Sequence, residues 1–73
     1  MRRPDLAGLR LAMTPEEIRE ARRKLGLSQV EIARRLDVDV VTWNRWERGR
    51  QDVRFPEILR LAFVGLEVER RSA

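Results

Sequence analysis

From residue 14 to residue 49 apolar side chains recur every three or four positions, in short runs that each begin at a hydroxyl or carboxylate residue and stop at a glycine or a turn. Thr14-Pro15-Glu16-Glu17 puts a hydroxyl at a cap position, proline at the first helical position and glutamate at the third. Two orphan amide groups are then satisfied reciprocally. The helix predicted there runs to Leu25 with Ile18, Ala21, Arg22 and Leu25 on one face, and Gly26 supplies the left-handed residue that ends it. Ser28-Gln29-Val30-Glu31 repeats the capping box and opens a second helix through Leu36, whose buried side is expected to be Ile32, Ala33 and Leu36. Asp37-Val38-Asp39 leaves room only for a tight turn. Asp39 then caps a third helix over 40–48, stopped by Gly49, and two short helices across a three-residue turn make a helix-turn-helix unit.

After a polar loop over 50–54, Pro56 starts a fourth helix, PEILRLAFVGLEVER, expected over 56–70. Its apolar residues Ile58, Leu59, Leu61, Ala62, Phe63, Leu66 and Val68 spread over about 220° of the circumference, roughly twice what one core contact needs. The surplus predicts that part of this helix meets a second subunit, with Leu59, Phe63 and Leu66 assigned to that interface. Val64 to Val68 alternates enough to leave a terminal strand open as an alternative. Residues 1–12, MRRPDLAGLRLA, read as a flexible arm, in which Asp5 could cap a short turn through Leu6, Leu9 and Leu11. The expected fold is therefore all-α, a compact domain over 13–73 of four helices, or five if the arm contributes one.

Composition narrows the chemistry. With 73 residues there is room for one domain of thin stability, and with no cysteine there is neither a disulfide framework nor a thiolate metal site. The absence of histidine removes the commonest general base and the commonest metal ligand together. Glu16, Glu17, Glu20 and Glu31 sit where helix starts and solvated faces want them, and there is no glycine-rich phosphate loop. No catalytic constellation, cofactor or metal is expected. Nothing resembles a signal peptide or a membrane span, so a cytoplasmic location is the expectation. Sixteen basic against twelve acidic groups give a formal charge of +4, and fifteen of the sixteen are arginine, which suits an anionic partner. An arginine-rich proteome could produce the same bias.

The stretch GLSQVEIARRLDVDVVTWNRWERG resembles the phage Cro/repressor type of helix-turn-helix, the Xre family, whose pattern is G-L-S-Q-x-E-(I/L)-A-x-x-L-G-V-S-x-x-T-(I/V)-x-x-W-E-x-G. With the first helix included, the resemblance covers 14–49. It implies a homodimeric, operator-binding transcriptional regulator, a class that includes phage switches and antitoxins. In that family the third helix lies in the major groove, which here would assign base reading to Val40, Val41, Asn44 and Arg45. Arginine suits guanine, asparagine suits adenine, and valine can touch only a thymine methyl. The resemblance also implies phosphate contacts from Ser28, Gln29, Thr42, Arg48 and Arg50, with Gln29 and the start of its helix as the clamp.

Trp43 and Trp46 are read as packing residues, since an indole buries up to about 250 Å² and few other large side chains are available. Glu47 matches a glutamate that pairs with an arginine on the first helix, and the spacing puts Arg22 at that place. Asp37 stands where the family has a turn glycine, and aspartate tolerates a left-handed backbone better than most residues. Val40 and Val41 depart from the family, which more often has polar residues there. Either they pack on thymine methyls, or the helix contacts a protein. Double-stranded DNA read by a homodimer is thus the first expectation. An antitoxin-like module that neutralises a toxin or another protein partner is the second, and a membrane-surface role is disfavoured because the core needs the apolar residues.

Overall fold

The computed structural model describes residues 13–72, and within them the chain forms four α-helices: α1 (Pro15–Lys24), α2 (Gln29–Arg35), α3 (Val40–Glu47) and α4 (Pro56–Ser72). No strand occurs among the described residues, and Val64–Val68 is helical. The arm over 1–12, with its candidate fifth helix, lies outside them.

Each helix starts on chemistry visible in its own few residues. The Thr14 hydroxyl accepts from the Glu17 amide at 3.1 Å while Glu17 accepts from the Thr14 amide at 2.9 Å. Ser28 and Glu31 repeat this at 3.1 and 2.8 Å. Asp39 accepts from the Val41 amide at 2.8 Å and so caps α3. Gly26 and Gly49 take positive φ, 70° and 72°, after α1 and α3. Asp37 has φ 58° in the turn between α2 and α3, a left-handed residue whose short polar side chain makes it one of the few types to accept this backbone.

The core is small and built around Trp43, which is fully buried together with Ile18 and Ile32. Trp46 packs against it with ring centroids 5.3 Å apart, and Phe63 of α4 presents its edge at 6.0 Å. The backbones of α1 and α2 approach α3 closely, whereas α4 docks on them through the side chains of Leu59, Phe63 and Leu66. That docking corrects one expectation. Leu59, Phe63 and Leu66 are 6%, 9% and 8% exposed and close the protomer's own core, so they are not the surface offered to a second subunit. The apolar residues left outside on α4 are Ile58, Leu61, Val64 and Val68. A stripe that wide must put one edge in and the other out. No helix among the described residues is long and apolar enough to cross a membrane.

Candidate nucleic-acid interface

Glu47 organises the helix-turn-helix. It lies at the end of α3, one turn beyond Trp43, and is 3% exposed. An uncompensated carboxylate at that depth would be severely destabilising, and four donors meet it. Arg22 of α1 forks onto both oxygens, Nε to Oε2 at 2.6 Å and Nη2 to Oε1 at 3.1 Å. Gln29 Nε2 adds a bond to Oε1 at 3.0 Å, and the Trp43 indole donates to Oε2 at 2.6 Å. Each oxygen therefore receives two bonds, which fills the capacity of a carboxylate. Burial pushes the Glu47 carboxyl up, but the bonds from Arg22, Gln29 and Trp43, with the Arg22 charge, more than offset it. The net result is a pKa below the ordinary 4.5.

The same cluster ties three helices together. Arg22 also donates through Nη1 to the Leu27 carbonyl at 3.0 Å, which pins the link between α1 and α2. Arg19 donates to the Glu47 main-chain carbonyl at 2.8 Å, satisfying an acceptor at the α3 C-terminus. Asn44 Nδ2 donates to the Gln29 side-chain oxygen Oε1 at 3.2 Å, so the chain of bonds runs from α1 through Glu47 and Gln29 to the outward side of α3.

At about 100° per residue, Val41, Asn44, Arg45 and Arg48 fall within one sector of α3, with Val40 and Thr42 on its flanks and Trp43, Trp46 and Glu47 behind. Exposure agrees. Val41 is 54% and Val40 38% exposed, Arg45, Arg48 and Arg50 are exposed, and Thr42 and Asn44 are half-buried. Arg48, Gly49 and Arg50 turn off the helix end, with the Arg50 amide donating back to the Arg45 carbonyl at 2.9 Å. Three arginines thus stand on or beside the face that carries the valines. Ser28 is exposed, but its hydroxyl oxygen is already the α2 cap.

Two of the expected site residues are less free than the sequence suggests. The Gln29 amide spends its oxygen on Asn44 and one N–H on Glu47, leaving one N–H for an outside acceptor. Asn44 spends one N–H on Gln29 and keeps its oxygen and its other N–H. Sequence reasoning did not foresee this relay, nor the indole bond from Trp43 and the carbonyl bond from Arg19. The one local signal was the four-residue spacing of Trp43 and Glu47, which makes them neighbours on a helix. Among the described residues no cluster of acidic side chains could hold a metal ion.

A family model described as a helix-turn-helix domain matches residues 16–71, which spans α1 to α4 apart from their outermost residues. No curated protein and no solved structure matches the chain.

Proposed function

The chain belongs to the helix-turn-helix domain family, and from that premise we propose that it is a sequence-specific transcriptional regulator of the Cro/repressor (Xre) type, a homodimeric repressor reading a palindromic operator. Helix α3 enters the major groove, where Val40 and Val41 touch thymine methyls and Arg45 and Asn44 bond to base edges. Arg48, Arg50, Thr42, Ser28 and the remaining Gln29 N–H take phosphate oxygens. The observation that carries this reading is the division of α3 into two sides. Glu47 and the tryptophans anchor one side through Arg22, and the other presents Val41, Arg45 and Arg48 to solvent as a rigid face.

Binding of the full chain to duplex fragments, followed by fluorescence anisotropy across a salt series, tests the proposal. Affinity is expected to fall with a log–log slope of about −0.9 per neutralised phosphate. Arg45→Ala is expected to relax preference at one guanine by about 1 to 3 kcal/mol and to leave the slope nearly unchanged. Because Asn44 is held by Gln29, the effects of Asn44→Ala and Gln29→Ala on preference should be non-additive in a double-mutant cycle. A flat salt response, or no binding at low salt, refutes DNA as the partner.

The exposure of Val40 and Val41 favours a second reading, an antitoxin-like surface that binds a protein. Replacement of thymine by uracil separates the two. Loss of affinity at one or two positions supports methyl contacts, whereas Val40→Asp with Val41→Asp leaving duplex binding intact supports the protein partner.

A further inference from the structure

Helix α4 has two apolar faces, and among the described residues only one of them joins the core. Opposite the buried Leu59, Phe63 and Leu66 lie Ile58, Leu61, Gly65 and Val68, with Val64 alongside; Ile58 and Leu61 are 64% and 69% exposed. The steps of three, four and three between these positions are the seam of a coiled coil. Gly65 sits in the middle of that seam, and among the described residues nothing requires a glycine there. Its backbone is not left-handed, a Cβ added there would meet nothing within 4 Å, and a glycine within a helix weakens it relative to most residues. What it provides is a notch in an otherwise raised apolar ridge.

We propose that this face pairs with the same face of a second copy, α4 against α4 in antiparallel orientation, each Leu61 seated over the partner's Gly65. This deepens the homodimer reading above and rests on it. A two-fold axis level with Phe63 follows from the register, because it sets Leu61 against the partner's Gly65 and Ile58 against the partner's Val68 in the same stroke. The flanks then agree. Glu57 meets the partner's Arg71, an attraction that symmetry supplies twice, Val64 meets its own counterpart, and the small Ala62 permits close approach on the other side. A parallel pairing would stack Gly65 on Gly65, leave a void in that layer and place Val64 beside the partner's Glu69. The knob, the notch and the charges are complementary to each other within one sequence, which is why the occupant is a second copy of this chain. Four layers make a small interface, so the dimer is expected to form at about micromolar concentration rather than nanomolar.

Sedimentation equilibrium of the full chain without DNA, from about 1 µM to about 1 mM, tests this over the range where such an interface should populate both states. A monomer–dimer equilibrium is expected. Leu61→Glu, at a side chain exposed in the protomer, should keep its helical circular dichroism and weaken association by at least about tenfold. Glu57→Arg should weaken it by about fivefold, and the pair Glu57→Arg with Arg71→Glu should recover most of the loss. Gly65→Gln gives the sharpest readout, because a better helix former should raise the thermal midpoint of the dilute monomer while weakening the dimer. A glycine with a purely local role would not split those two measurements. A chain that stays monomeric at every concentration overturns the proposal, and so does a dimer indifferent to both Leu61→Glu and Gly65→Gln. Failure of the DNA reading looks different: a dimer that obeys these variants and binds no duplex keeps the interface and discards the operator, while a monomer that binds single half-sites does the reverse.

Discussion

Glu47 is buried with all its acceptor capacity in use, so what it contributes is read most directly from its removal. Glu47→Ala leaves the Trp43 indole and two Arg22 donors, Nε and Nη2, without a partner, and Arg22→Ala strands the carboxylate; each is expected to cost about 3 to 5 kcal/mol in urea unfolding. The ionised form is the one the site prefers, since the donors hold its pKa below 4.5 in the fold. A depressed folded-state pKa contributes stability at pH above 4.5, and that contribution is lost as the pH falls through the folded value. Stability should therefore decline from about pH 5 downward, and Glu47→Gln should flatten that decline. Some acid dependence should survive in the variant, because Glu31 is lowered too, by its backbone and side-chain bonds with Ser28.

The turns decide how the helices of the motif meet. Asp37 at φ 58° works where it stands, and glycine would reach the same backbone with less strain, so Asp37→Gly is expected to be neutral or stabilising by up to about 1 kcal/mol. Gly49 is the opposite case. Its φ of 72° disfavours any side chain, and a Cβ there would lie 3.4 Å from Pro15 Cγ, so Gly49→Ala should cost about 1 kcal/mol or more in thermal unfolding. These positions were legible because caps and turns are local. Thr14 with Glu17, Ser28 with Glu31, and Asp39 with Val41 each make their bonds within three residues, so a short window of sequence contains the whole interaction. Helix α4 was legible only in part, since periodicity gives the width of an apolar stripe and not which edge of it meets the core.

At the scale of the whole molecule, the chain balances a small core against a large exposed apolar strip. If the α4 faces pair, folding is linked to association, and the thermal midpoint should rise with protein concentration. A series of melts over about two decades of concentration checks this, and in Leu61→Glu the rise should begin only at a concentration higher by about tenfold or more. The net charge of +4 adds to the picture by keeping copies apart at low salt, so the rise should be steeper at higher ionic strength, opposite in sign to the salt dependence of DNA binding.

By itself the sequence determined the four helices, their caps, the left-handed stops at Gly26 and Gly49 and the strained turn at Asp37, because each depends on backbone sterics and hydrogen bonds within a few residues. Through its resemblance to known helix-turn-helix chains it also determined that Arg22 belongs with Glu47. The tertiary structure decided the rest. It turned Leu59, Phe63 and Leu66 inward, where they share one buried cluster with Trp43 and Ile32, and left Ile58, Leu61 and Val68 outside. It also joined Gln29 to both Glu47 and Asn44 across 18 and 15 residues of chain. A buried carboxylate recruits whichever donors three dimensions bring within reach, and no spacing along the chain announces them.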